Sequence, residues 1–419
     1  MTQVRARRGS REPASTDRRN SYLALLRTPG ALAFSATGFI GRMSMSMYGL
    51  GTVLLIVSLT GRYGMAGTVA AAGSIGYAVC GPIVATWADR LGQRRVLAAQ
   101  AGIFTVSSAA FIGCAEARAP IWTLLLIGVA AGASMPSVGS MVRSRWSVLA
   151  DGDSQMLHTA FALESVNDEL IFVVGPALVT VLATQLFPAA GLGTAAVLAA
   201  GGTLLFAFQR RSEPAPKPRP PRTGRRAMPS LPAAGLITLA PAFLLLGSMF
   251  SSIDLSTVAF ATDLGHKPAA GVILGTYAAG SAVGGLWYGS RHWRAPLGRR
   301  FTITTAITVA GISTFWAVPG LLALAVVGFL SGLAIAPTLM AGYAILEGQA
   351  AEHRRTEAMA WLSSTISVGV AAGSAVAGRI IDLHGARWGF GFAACCGAVA
   401  VLICVIGLSR LRTEQDRGS

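Results

Sequence analysis

The sequence predicts an all-α membrane protein made of two pseudo-symmetric six-helix bundles around a central cavity. Three observations lead there: a shortage of charge, twelve apolar runs of membrane-spanning length, and a basic, proline-rich segment that divides those runs six and six. Of the 419 residues, 53% are hydrophobic and only 12% are charged, whereas soluble domains carry about 25% charged residues. Mean hydropathy is +0.58. So few charges cannot coat the surface of a soluble chain this long, which excludes a water-soluble enzyme. The remaining solvent is lipid.

The apolar runs cover roughly residues 30–58, 65–87, 96–114, 120–142, 162–187 and 190–208, then 235–262, 270–290, 301–317, 320–345, 357–381 and 388–409. Each is close to the roughly 20 residues that a helix needs to cross the hydrocarbon. Backbone groups there find no water and must be satisfied internally, so helices are predicted throughout. The first run is too long for the apolar part of a signal peptide and has no small-residue cleavage site after it. Residues 1–28 are read as a cytoplasmic tail, 29–208 as the N-terminal bundle, 209–232 as a linker, 233–411 as the C-terminal bundle and 412–419 as a second tail.

Net charge is +16, with 34 basic against 18 acidic residues. Such an excess suits a nucleic acid or a membrane surface, and its distribution decides between them. Every basic residue except Arg42, Arg62, Arg118, Lys267, Arg379 and Arg387 falls in a segment on the same side as the N-terminus. That positive-inside pattern places both termini in the cytoplasm and leaves no basic, aromatic-interleaved groove for nucleic acid. Only Lys217 and Lys267 are lysines, a bias expected of a GC-rich bacterial genome, so a bacterial plasma membrane is the expected location.

The linker, QRRSEPAPKPRPPRTGRRAMPSLP, cannot pack a core and is read as a solvated tether near anionic headgroups. The runs on either side of it resemble each other. Gly128, Gly132 and Pro136 punctuate the fourth, Gly328, Gly332 and Pro337 the tenth, and Gly175 of the fifth stands opposite Gly373 of the eleventh. Parallel six-helix repeats put a binding site at their interface near the midplane.

Between the second and third runs stands ATWADRLGQRRVL, residues 85–97. It resembles the GxLaDRxGRRxxL signature of the major facilitator superfamily, at the loop where that family carries it. Asp89, Arg90, Gly92, Arg94 and Leu97 match, while Ala85 and Gln93 depart from the pattern. The resemblance covers nearly the whole chain. It implies a secondary transporter that rocks two bundles about a central site, with Asp89, Arg90, Gly92 and Arg94 tying helix ends in one conformation and releasing them in the other. The matching place in the second half, GSRHWRAPLGRR, has no acid. Gly175-Pro176 is similar to the core of a pattern found in the family's drug-proton antiporters, though Leu178 and Val179 replace the glycines that usually follow. The fourth run, ending at 142, contains no arginine where those antiporters often have one.

Ionisable residues at bilayer depth are costly and usually mark a pathway. Arg42, deep in FIGRMSMSMYG, is an anion anchor, a partner for a proton-carrying acid, or one half of a structural ion pair. Asp254, in SMFSSIDLSTVAF, aligns at nearly the level of Arg42 across the repeats, and the two are expected to meet or to compete for one ligand. In ALESVNDELIF, Glu164 and Asp168 share a helix face while Glu169 points about 100° away. These three are either proton carriers or gate ties pairing with Arg94, Arg143 or Arg145.

Glycines at spacing four (Gly280 and Gly284, Gly285 and Gly289, Gly369 and Gly373) allow close helix contact. Met43, Met45, Met47 and Tyr48 suit either an adaptable lining or core packing. All five cysteines lie in apolar runs, and none of the five histidines stands at metal-ligand spacing or beside a nucleophile. There is no phosphate-cradling GxxxxGK[ST] segment. The expected activity is therefore proton-linked export of a small organic molecule by a monomer without catalytic residues, metal or cofactor. Uptake by symport or uniport is the alternative, followed by a non-transporting sensor or an intramembrane enzyme.

Overall fold

The computed structural model describes residues 25–151, 153–214, 233–291, 293, 295–349 and 355–411. Most of both tails, linker residues 215–232, His292, His353 and the side chains of Asp89 and His158 lie outside the described residues. Among the described residues fifteen α-helices follow in order: α1 Ala31–Arg42, α2 Ser44–Thr60, α3 Tyr63–Leu91, α4 Gln93–Glu116, α5 Ile121–Ser134, α6 Val138–Ala150, α7 Ser154–Gln185, α8 Ala190–Ala207, α9 Ala233–Asp263, α10 Ala269–Gly289, α11 Leu297–Ser313, α12 Leu321–Gly332, α13 Ile335–Gln349, α14 Arg355–His384 and α15 Ala386–Ile406.

Eleven helical segments among the described residues are long and apolar enough to cross a membrane. They accommodate the expected runs apart from 301–317. That stretch, rich in threonine and led by Arg299 and Arg300, forms the 17-residue α11 and then a 3-10 turn, Thr314–Ala317. Surface chemistry agrees with a lipid surround. Leu322 is 80% exposed, and many other large apolar side chains point outward, an arrangement that would aggregate in water.

Three of the spans are broken helices, and their sequences explain two of the breaks. Met135 precedes Pro136, whose ring pushes it out of the helical region to φ −56, ψ 126, so α5 ends and α6 starts afresh. In the tenth span the break comes at Leu333–Ala334, ahead of Pro337, which then occupies the first turn of α13, where a missing N–H costs nothing. The repeated punctuation thus produces a break in each half. The first span breaks at Met43, between α1 and α2. The fourth span also continues further than its sequence suggests. It runs to Ala150, so its second helix carries Arg143 and Arg145 beyond the expected end at 142.

Backbone glycines set the closest helix contacts. A Cβ on Gly280 or Gly284 would overlap the carbonyls of Phe329 and Leu333, and one on Gly369 or Gly373 would overlap Leu244 and Ser248. These spaced glycines therefore seat α10 on α12 and α14 on α9. Gly285 and Gly289 face Ala336 and Met340 of α13.

The two halves meet through α3 against α14 and α7 against α10. Their contacts lie toward the 61–62 turn. Asp382, near the end of α14, accepts hydrogen bonds from the backbone N–H groups of Tyr63 (2.7 Å) and Gly64 (2.7 Å) at the start of α3. One carboxylate thereby caps a helix N-terminus in the other half, where the helix dipole also favours negative charge. Side chains on Gly67 and Gly378 would collide with the Ser374 and Tyr63 carbonyls, and one on Gly271 with Pro176 and Thr180. Leu54, Val258, Ala261 and Ala270 form a small apolar cluster on the same side.

Candidate functional site

Between the two halves lies a cavity of about 510 Å³. Met45, Tyr48 and Thr52 of α2, Gly73, Ser74 and Tyr77 of α3, Glu169, Phe172 and Pro176 of α7, Phe250, Ser251 and Asp254 of α9, Tyr277 and Ser281 of α10, Leu339 of α13, and Ser367 and Ser374 of α14 contribute to its wall. On each helix shared by cavity and contact zone, the contact residues begin about where the cavity residues stop, toward the 61–62 turn. On α3 the contacts are at 63–67 and the cavity at 69–77; on α14 they are at 374–382 and the cavity at 366–374. The cavity is thus roofed on that face.

Two carboxyls, Asp254 and Glu169, are the charged groups among the described residues of the wall. Asp254 sits in the middle of α9 yet has an exposed side chain, and Glu169 is half-buried. Neither has a hydrogen bond or ion pair among the described residues. The Tyr277 hydroxyl, also on this wall, is buried without a hydrogen-bond partner.

Arg42 does not meet Asp254, as its alignment across the repeats suggested. It is 1% exposed, and its guanidinium pairs with Glu164 and with Asp168 Oδ1 (2.7 Å), while Nε donates to the Gly38 carbonyl (3.1 Å). The reason is proximity within one bundle, because α1 lies directly against α7. Glu164 is fully buried and also accepts from Ser35 Oγ (2.8 Å) and Trp146 Nε1 (2.9 Å). Asp168 Oδ2 takes Arg143 Nη2 at 2.6 Å. The four-residue spacing does put Glu164 and Asp168 on one face, and that face is consumed by arginines. Glu169, one residue further round the helix, looks into the cavity instead.

Gly175 and Pro176 lie where the cavity gives way to the roof. A Cβ on Gly175 would overlap Ser46 Oγ, and Ser46 Oγ itself donates to the Ile171 carbonyl at 2.8 Å, so α2 and α7 run in close contact. Pro176 stands inside α7, and its carbonyl lies against Gly271 of the other half. The methionines divide: Met45 and Tyr48 line the cavity, while Met43 and Met47 pack with Ile171 and Val179 inside the bundle.

In the signature loop, Gly92 joins α3 to α4 at φ 89, ψ 143, a left-side conformation that favours glycine. Arg90 is exposed in the last turn of α3. The backbone N–H of Arg94 donates to Glu213 Oε1 at 2.9 Å, and its guanidinium lies 5.6 Å from the Phe208 ring centre. Glu213, the single acid of the linker, thus caps α4. Sequence reasoning missed this role, and it named Arg145, which is fully buried, only as a partner for the acids of the fifth span. Arg145 Nε donates to Gln93 Oε1 (3.0 Å), Nη1 donates to the Gln209 carbonyl (3.0 Å) and to Ser212 Oγ (3.1 Å), and the guanidinium stacks 3.7 Å over Phe206. Its partners are polar groups of the signature loop and the start of the linker, not the acids of the fifth span.

A sequence profile of the Major Facilitator Superfamily matches residues 34–291 and again 237–419. Among solved structures, a mutant of the nucleoside transporter NupG superposes with a TM-score of 0.71 at 15% identity, covering 90% of this chain and 99% of that one. The POT family transporter PepTSo gives 0.65 at 14% identity, over 95% and 99%. A bacterial homologue of the iron transporter ferroportin, in an inward-facing state, gives 0.67 at 13%, over 95% and 100%. At these identities the likeness is one of fold. No curated protein sequence matches the chain. With two profile matches that together span nearly all of its length and a cavity between two helical halves, the chain belongs to the Major Facilitator Superfamily: it is a multi-pass membrane transporter of a small molecule, and not an enzyme.

Proposed function

We propose that the protein is a proton-coupled exporter of the bacterial plasma membrane, exchanging a small organic molecule for protons by alternating access to the cavity. The observation that carries this reading is the pair of carboxyls, Asp254 and Glu169, set in the cavity wall without a cationic partner. An acid at membrane depth is tolerated when its charge is neutralised, and a proton or a ligand can do that in turn. Occupants that exclude each other at one site move in opposite directions across the membrane, which is antiport. Gly175-Pro176 adds to the likeness with the family's drug-proton antiporters.

In this reading Asp254 and Glu169 are the coupling groups, and Arg42, Glu164 and Asp168 hold the N-terminal bundle together. Asp89, Arg90, Gly92 and Arg94 tie helix ends at the cytoplasmic face in the alternate state, closed on that face. With both termini in the cytoplasm, the roof formed by Asp382 and the α3/α14 glycines is periplasmic, and the molecule stands inward-facing.

Counterflow in proteoliposomes tests for carriage, and accumulation under an imposed pH gradient then tests direction. Exchange predicts that solute gathers in the compartment that supplies the protons. Accumulation with the opposite sign means symport and uptake. Accumulation indifferent to the gradient removes the proton from the mechanism.

A further inference from the structure

We infer that the cavity selects organic cations: flat, partly aromatic molecules bearing one positive charge. The inference rests on the transporter reading and adds the chemistry of the transported molecule.

Charge comes first. Asp254 approaches from the C-terminal half and Glu169 from the N-terminal half, while no arginine, lysine or histidine stands among the described residues of the wall. Arg42, the counter-charge that the sequence suggested for Asp254, is held by Glu164 and Asp168. An anionic ligand entering here would meet two acids and no donor of positive charge, whereas a cation finds the partner that the protein itself does not provide. Because the two acids belong to different halves, a cation between them touches both moving bodies.

The remaining wall fits the same ligand. Tyr48, Tyr77, Phe172, Phe250 and Tyr277 supply aromatic groups from five helices, and aromatic faces attract cations while accepting flat apolar bodies. The buried Tyr277 hydroxyl has no hydrogen-bond partner, so a polar position in the wall is unfilled. A volume of about 510 Å³ is in the range that holds a drug-sized molecule. The titratable groups facing the site are Tyr48, Tyr77, Glu169, Asp254 and Tyr277, so protons and cations compete chiefly for the two carboxyls.

The test uses the full chain in lipid nanodiscs and three biaryl probes of matched shape: N-methyl-4-phenylpyridinium, the neutral biphenyl-4-methanol and the anion biphenyl-4-carboxylate. Binding is measured at mildly alkaline and mildly acidic pH. The cation is expected to bind at least about tenfold more tightly than either companion and to weaken on acidification. Asp254→Asn and Glu169→Gln should each weaken it by about tenfold or more, and Asp254→Glu should recover part of the loss. Monodisperse elution of each variant shows that it is folded. Failure of the cation to bind, equal binding of the carboxylate or the alcohol, or variants that bind the cation as the wild type does would overturn the inference. Counterflow of the same probes separates this from the reading beneath it. Flux of the carboxylate without the cation overturns cation selectivity alone, and a probe that binds but never exchanges overturns transport.

Discussion

At the scale of single residues, the acids of the membrane interior divide into two kinds. Glu164 and Asp168 are satisfied by Arg42, Arg143, Ser35 and Trp146, while Asp254 and Glu169 face the cavity without partners. The two kinds should respond differently to substitution. Arg42→Met leaves Glu164 buried and uncompensated and should cost about 3–5 kcal/mol of stability, seen as a lower melting temperature and poor recovery of purified protein. Asp254→Asn removes a charge that no described residue balances, so the melting temperature should hold or rise while proton-driven flux is lost. Equal destabilisation by both would erase the distinction. The sequence showed which residues to watch and the faces on which Glu164, Asp168 and Glu169 lie. It could not show that Arg42 turns toward α7 instead of α9, because that depends on which helices are neighbours within a bundle.

At the scale of helices, the roof depends on backbone approach. Gly64 and Gly67 of α3 pack against Ser374, Gly378 and Asp382 of α14 with no room for a side chain, and Asp382 supplies the cap that Arg62 does not. Gly67→Leu should wedge the two helices apart and favour the state open on this face. Asp382→Ala should act in the same direction, by about 0.5–2 kcal/mol, the usual cost of losing a cap. The check is a cysteine at Ser74 in a background lacking the native cysteines, probed with a membrane-impermeant thiol reagent from the side of the 61–62 turn. Both variants should label faster than the parent, and unchanged labelling would remove Asp382 and Gly67 from the roof. On the opposite face, Glu213→Ala should loosen α4 and the start of the linker, increasing proteolysis near residue 213. This linker-to-helix tie had no sequence signature, since a single glutamate among prolines and arginines reads as solvated. The helix breaks at Met135 and Leu333 were more legible, because proline acts locally.

At the scale of the whole molecule, composition and repetition carry most of the architecture. A chain with 12% charge has few ways to fold other than as packed apolar helices, and two similar sets of spans leave an interface where a cavity can form. What the pattern alone could not rank was which polar side chains look into that cavity, since one residue of helical rotation separates Asp168, bound to Arg42 and Arg143, from Glu169, open to the cavity. The expected span 301–317 is built from the end of α11 and a 3-10 turn, Thr314–Ala317. On the proposed reading, function at this scale is an exchange between a proton and a cation at carboxyls contributed by both halves. The measurement that tests it most directly is the pH inside proteoliposomes carrying a trapped pH-sensitive dye, when N-methyl-4-phenylpyridinium is added outside. Antiport predicts that the lumen turns alkaline as protons leave against the entering cation, and that Asp254→Asn or Glu169→Gln abolishes the change. A lumen that turns acidic, or an alkaline response that survives both substitutions, would contradict the account.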